Sequence, residues 1–294
     1  MKAKPEFGIG TVQWGLSYGV ANNSGQTPSS EVSSILQHAR QLGIRFIDTA
    51  SQYGNAEDVI GKNDLDGFKI ITKGPSFYSA EIGSTSVDDF IKTFETSLAK
   101  LNREQIYGFL IHNANDLLLP GGKQLVVAME ELKARGKVKK VGVSVYDGTQ
   151  IDAVLNVFLP DIVQLPLNVF DQRLLKSGHL SRLNEMGIEI HARSAFLQGL
   201  LLMPLDDVPV FFDPIRPLLS KWKDAVCFQG LTPIQASLAF VCGQPFVDVV
   251  VVGVETLPQL VATFSDFDKS TDFDASTLYC NDARFVNPAN WNLS

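Results

Sequence analysis

Cysteine is scarce in this 294-residue chain: Cys227, Cys242 and Cys280 are odd in number, far apart and without any CxxC pair. That excludes a disulfide framework and offers no zinc ligand set, so buried or inert thiols are expected and no metal is. Positive charge is short as well. The net charge is −7 and the isoelectric point about 5.1, leaving no cationic face for nucleic acid or an anionic membrane. The densest basic cluster, KARGKVKK from Lys133 to Lys140, reads as a helix end and the solvated turn after it. Missing too is any apolar stretch long enough for a signal peptide or a membrane span, so a cytoplasmic protein is expected. No Gly/Ser linker or low-complexity segment breaks the chain, and residues 1–294 are expected to form one domain. Nor is there a dinucleotide fingerprint. GIGTVQWG has the wrong spacing for GxGxxG and no helix pattern directly behind it, which discounts a Rossmann domain.

What the chain does contain is alternation. Eight short, largely apolar runs, FGIGT, IRFIDT, FKIITK, YGFLIH, KVGVSV, DIVQLP, IEIHARS and VDVVVVG, alternate with amphipathic helical stretches. In the first helix Thr27 is expected to cap, Pro28 to open the first turn and Gly43 to end it, with Val32, Ile35, Leu36, Ala39 and Leu42 on one face. Phe90, Ile91, Phe94, Leu98 and Leu101 form a second such stripe, and Gln124 to Arg135 a third, before Gly136. Eight units averaging roughly 37 residues suit a (β/α)8 TIM barrel with a carboxyl-terminal tail near the pocket. An open doubly wound sheet is the alternative. The polar residues favour the barrel, because Asp48, Lys73, His112, Ser144, Gln164 and Ser194 all fall at the carboxyl ends of different strands.

Three of these residues, Asp48, Lys73 and His112, carry the chemistry together with Tyr53. A phenol titrates near pH 10, so Tyr53 serves as a proton donor near neutrality if an ammonium lowers that value, and Lys73 is the obvious ammonium. The Asp48 carboxylate would keep Lys73 charged and aimed, and the His112 imidazole would hold a substrate oxygen. Taken singly, an Asp-Thr after a strand is more often a cap, a Tyr-Gly a turn and a strand-end His an ordinary hydrogen-bonding group. Asp48, Tyr53, Lys73 and His112 in order, at the ends of consecutive strands, point instead to one acid catalyst. His38, His179 and His191 have no such company and read as structural.

In these segments and their order the chain resembles the aldo-keto reductases along nearly its whole length: GIGTVQWG, FIDTASQYGNAEDVIG, ITKG, LIHN, VGVS, VQLPLNVFDQR and RSAFLQGLL. The resemblance implies Tyr53 as general acid, tuned by Lys73 and Asp48, with His112 orienting a carbonyl and a nicotinamide coenzyme supplying hydride. It places the carboxamide against Ser144 and Gln164, and implies cofactor contacts from Arg193, Ser194, Gly253, Val254 and Gln259. NADPH is the coenzyme implied first and NADH the contender. Three positions depart from the family pattern. Val145 stands where an Asn usually follows VGVS, with Asn168 as the candidate substitute. Arg193 stands where relatives place a stacking aromatic, and ring stacking, pyrophosphate, an anionic substrate or a structural ion pair all remain open for it. After the eighth strand, Glu255 and Gln259 stand where a 2′-phosphate would meet a basic residue.

The substrate is expected to be an aldehyde or ketone, sugar-like among the options, bordered by Trp14, Phe77, Tyr78 and Trp291 and hydrogen-bonded by Asn113, Asn115 and Asp116; NAND is equally good turn chemistry. The rival reading is a non-catalytic sensor that binds the coenzyme on the same barrel. A Schiff-base isomerase or lyase using Lys73 ranks lower, since Asp48 would hold that lysine protonated.

Overall fold

The computed structural model describes residues 4–22, 24–269 and 272–292. Its centre is a closed barrel of eight parallel strands, β1 (Glu6–Gly10), β2 (Phe46–Asp48), β3 (Lys69–Lys73), β4 (Ile106–Ile111), β5 (Val138–Ser144), β6 (Ile162–Pro166), β7 (Glu189–Arg193) and β8 (Val249–Gly253), each hydrogen-bonded to the next and β8 back to β1. All eight expected strands form, and the closed ring rules out the open sheet. Helices cover the outside. Their apolar stripes do what their spacing predicts: Val32, Ile35, Leu36 and Ala39 of helix Ser29–Gln41 are buried, as are Phe90, Phe94 and Leu98 of helix Ser84–Lys100. One cap differs from expectation. Pro28 occupies the N-cap position, one residue later than expected, and the buried Thr27 hydroxyl has no partner, so the first helix begins without a side-chain cap. Gly43 does end it, at φ +75°, a left-handed turn that glycine adopts without steric cost.

Inside the ring, the two-residue period of each strand stacks the inward side chains in layers. Phe46, Ile71, Leu110, Ile162, Val249 and Val251 form a closed apolar cluster of their own. Two residues further along several of these strands come Asp48, Lys73, His112, Gln164 and Gly253, so the polar layer lies directly on the apolar one at the carboxyl end. A one-residue slip of any strand would send its polar residue outward.

The amino-terminal end of the barrel is closed by a second polar knot. Glu189 accepts from the Tyr107 hydroxyl at 2.8 Å and from Lys140, and bonds His191 Nε2 at 2.6 Å. These partners hold its carboxyl down to about 2 although burial works the other way. His191 is fully buried there, which bears out its structural reading. Lys140 therefore belongs to β5 and an ion pair, not to a solvated turn; the helix ends at Ala134 and the strand begins at Val138. Cys280 is buried, Cys242 half-buried and Cys227 exposed, so of the buried or inert thiols expected Cys227 is not among the buried ones. Among the described residues no single helix is long and apolar enough to cross a membrane.

Candidate active site

Tyr53 is placed by backbone contact. The loop after β2 passes so close to the one after β1 that a Cβ on Gly54 would lie 2.3 Å from the Gly15 carbonyl oxygen, and one on Gly15 would lie 1.8 Å from the Tyr53 carbonyl oxygen. Gly54 also sits at φ +55°. Two side-chain-free residues thus let two loops touch, and the Tyr53 ring is carried to the barrel mouth. Behind it, the buried Glu57 accepts from the Thr72 hydroxyl at 2.6 Å and the Ser97 hydroxyl at 3.0 Å, tying this loop to β3 and to the helix after it. Burial pushes the Glu57 carboxyl up. Nothing in the spacing of the sequence marks Glu57 for this role, because its partners come from other elements.

The four residues expected to act together do meet. Lys73 Nζ donates to Asp48 Oδ2 at 2.8 Å and to the Thr49 carbonyl oxygen at 2.8 Å, and lies 5.2 Å from the centre of the Tyr53 ring. The Tyr53 and His112 rings stand edge to face, 5.9 Å between centres. The lysine side chain is 1% exposed and the aspartate side chain 7%. Burial lowers Lys73 from its ordinary value, and Asp48 opposes the fall.

The electrostatics of Tyr53 differ from expectation. Its phenol is pushed up, chiefly by burial and next by the Asp48 charge; the Arg193 guanidinium is the group that pulls it down. The Lys73 charge is already answered by a carboxylate at 2.8 Å, so little of it remains to acidify the phenol. Consequently the resting phenol keeps its proton at any physiological pH. The His112 imidazole is driven down to about 3, first by burial and next by Lys73, and is neutral. Its Nδ1 is buried with no partner. An orphaned N–H costs more than an unused acceptor, so the proton belongs on Nε2, the nitrogen left for the cavity.

A cavity of about 430 Å³ opens over the polar layer, lined among others by Asp48, Tyr53, His112, Ser144, Gln164, Arg193, Ser194, Gly253, Glu255 and Gln259. Six of the seven residues expected to hold a cofactor therefore share one cavity with the four expected to act in catalysis, of which only Lys73 is hidden behind the wall. Val254 does not join them: it is buried, and its carbonyl oxygen accepts the Trp14 indole N–H at 2.9 Å. Gln164 joins in an altered capacity, because its Nε2 donates to Asp48 Oδ1 at 2.7 Å, leaving Oε1 for a ligand. Asn168 is no substitute for the missing Asn at 145. Its amide is spent on the Ser194 carbonyl oxygen and on the Phe170 and Asp171 N–H groups.

The surrounding candidates fare differently. Trp14 is fully buried, Tyr78 is 95% exposed, Phe77 packs against the core and Trp291 packs edge-on against Phe212, and none of the four lines the cavity. Asn113 and Asp116 bond each other and the backbone of Asn115 and Phe77, so NAND is turn chemistry. The cavity wall instead includes Gln13, Tyr18, Tyr146 and Gln198, which the sequence did not single out. Tyr18 and Gln198 bond each other at 2.8 Å, joining the loops after β1 and β7. An aromatic directly after VGVSV was the available signal for Tyr146.

A nicotinamide dinucleotide fits these residues. Gln13 Oε1 is buried without a partner beside Gly253, where a Cβ would come within 2.8 Å of the Gln13 amide, so a bare backbone edge and an unused acceptor face the same wall. Ser144, Gln164 Oε1 and Ser194 add polar groups at the end of the cavity where Tyr53 and His112 lie.

Comparison with known proteins agrees with the geometry. The model of the aldo/keto reductase family matches residues 6–276. The oxidoreductase YtbE of Bacillus subtilis is 27% identical over 215 residues, 71% of this chain and 69% of that one. The 6-dehydroglucose reductase of Novosphingobium aromaticivorans is 27% identical over 218 residues, 67% of this chain and 68% of that one. Among solved structures, an aldo-keto reductase from Bacillus halodurans in its holo form superposes with a TM-score of 0.74, covering 97% of this chain and 95% of that one at 19% identity, a likeness of fold.

Proposed function

The chain belongs to the aldo/keto reductase family, whose members are NAD(P)H-dependent oxidoreductases, and on that premise we propose that it reduces an aldehyde or ketone with Tyr53 as the proton donor. The observation that carries the reading is the convergence of Tyr53 and His112, with the Lys73–Asp48 pair beneath them, at one end of a single cavity whose remaining wall mixes polar residues with apolar ones such as Val12, Phe196 and Leu202. When bound, the nicotinamide coenzyme supplies the hydride. Ser144, Gln164 Oε1 and Ser194 would hold its nicotinamide end, and Gly253, Glu255 and Gln259 the far end.

Each protein group then has a defined task. The neutral His112, with its proton on Nε2, donates a hydrogen bond to the carbonyl oxygen and fixes its direction. Tyr53 gives its proton to that oxygen as negative charge develops there. Its raised pKa ensures that the proton is present when the substrate arrives, and an alkoxide is basic enough to take it. The buried Lys73–Asp48 pair forms the floor under the phenol and fixes its place, while the Arg193 guanidinium is the charge that favours the phenolate left behind. Most of the contribution is positioning and a fixed electrostatic environment.

Binding of NADPH and NADH, followed by fluorescence, and turnover of an aldehyde panel by wild type and Tyr53→Phe test this proposal. Coenzyme binding, measurable turnover and a Tyr53→Phe rate lower by at least roughly a hundredfold are expected. Binding of coenzyme with no carbonyl reduced would replace the reductase by a coenzyme-binding sensor.

A further inference from the structure

Arg193 ends β7 at the polar layer and lines the catalytic cavity, and its guanidinium is held without a carboxylate. Nη2 donates to the Val145 carbonyl oxygen at 3.1 Å and Nη1 to the Ser194 hydroxyl oxygen at 3.3 Å, both neutral acceptors. The guanidinium carbon stands 4.4 Å from the centre of the Tyr146 ring, which holds the group from a third side. No Asp or Glu lies within ion-pair distance of it among the described residues, although the other cation of the site, Lys73, is paired at 2.8 Å. A guanidinium carries five donors and two are spoken for. A half-buried cation whose only partners are neutral is poorly compensated, and an entering anion would complete it.

The charge count at this end of the cavity points the same way. Asp48 and Lys73 cancel and His112 is neutral, while Glu57 lies outside the cavity against Thr72 and Ser97 with its carboxyl pushed up by burial, so Arg193 is the uncompensated charge that faces the reacting end in a protein whose total is −7. Its field reaches the reacting groups themselves, being felt at Tyr53, Lys73 and His112.

We propose that Arg193 is a specificity-determining residue that binds an anionic oxygen group of the substrate, so that the preferred carbonyl compounds carry a carboxylate beside the reacting aldehyde or ketone. The proposal rests on the reductase reading. The coenzyme diphosphate is the other source of anionic oxygens, and the position of Arg193 beside Tyr53 and His112 favours the substrate.

Three measurements on wild type, Arg193→Gln and Arg193→Lys decide it. The first compares kcat/KM for 4-oxobutanoate and for butanal, equal in chain length and different in charge. Wild type is expected to prefer the carboxylate by roughly tenfold or more, Arg193→Gln to lose that preference and Arg193→Lys to keep part of it. The second titrates succinate, a carboxylate without a reacting carbonyl, calorimetrically into the coenzyme-loaded protein, and Arg193→Gln is expected to bind it roughly tenfold more weakly. The third is the coenzyme dissociation constant, expected to change far less than the carboxylate preference. An unchanged preference in Arg193→Gln, or a loss of coenzyme affinity as large as the loss of kcat/KM, overturns the assignment. If succinate binds through Arg193 but no carbonyl is reduced, the anion site stands and the reductase reading falls; if butanal and 4-oxobutanoate are reduced alike, the reverse holds.

Discussion

Asp48→Asn keeps the shape of a side chain that two donors share. In the wild type Lys73 Nζ lies at 2.8 Å from one carboxylate oxygen and Gln164 Nε2 at 2.7 Å from the other. An amide offers one oxygen, so its NH2 group must face either the ammonium or the Gln164 amide whichever way it turns. With Lys73 1% exposed, water cannot take the lost place. Removing one partner of a buried ion pair costs about 3–5 kcal/mol. For a domain of this size each kcal/mol is worth about 2–4 °C, so Tm at pH 7 is expected to fall by roughly 6–20 °C. The loss carries a pH signature. Burial already lowers the pKa of Lys73 and Asp48 resists it, so without the carboxylate the value drops further. Between that folded value and the unfolded one of about 10.4, the unfolded chain binds more protons, and stability rises with pH. Urea denaturation at pH 7.0 and about 9.5 should therefore show the variant recovering part of its loss, by up to about 1.4 kcal/mol per unit inside the window. A deficit equal at both pH values, or below about 1 kcal/mol, would refute the buried pair as described.

Other outcomes follow from the same geometry. Because His112 is neutral down to about 3 when folded, against about 6.5 unfolded, it weakens the fold as pH drops through that interval. His112→Gln should lose less stability between pH 6 and 4 by about 1.4 kcal/mol per unit, measured by denaturant titration, and an identical acid profile would contradict the assignment. Gly54→Ala forces a Cβ to 2.3 Å from the Gly15 carbonyl oxygen at φ +55°, so it should cost at least about 1 kcal/mol in thermal unfolding and lower kcat by displacing Tyr53. Wild-type kcat with a lower Tm would show that the loop contact does not position the ring. Glu255 lines the cavity, and its carboxylate opposes a 2′-phosphate. At about 6 Å in a water-like medium a dianion feels about 1.4 kcal/mol, so Glu255→Gln should improve NADPH binding relative to NADH by roughly tenfold, and an unchanged ratio of dissociation constants would place the phosphate elsewhere.

The eight strands, the helix stripes and the four residues at the barrel mouth were legible in the sequence because each depends on short-range rules. A period of two sets which residue of RFIDT or FKIITK points inward, and a period near four sets which face of SVDDFIKTFETSLAKLN is buried. What the sequence could not determine were the partners. Gln164 and Asp48 are 116 residues apart, and only ring closure decides that an amide expected to hold a ligand holds the Asp48 carboxylate instead. The same closure spends Lys73 on Asp48, so burial raises the phenol that a neighbouring ammonium was expected to lower, and it leaves Arg193 lining the cavity as a cation without a carboxylate. Backbone pattern is written locally along the chain, whereas charge compensation is a sum over everything within a few ångströms, and that sum exists only once distant strands have been brought side by side.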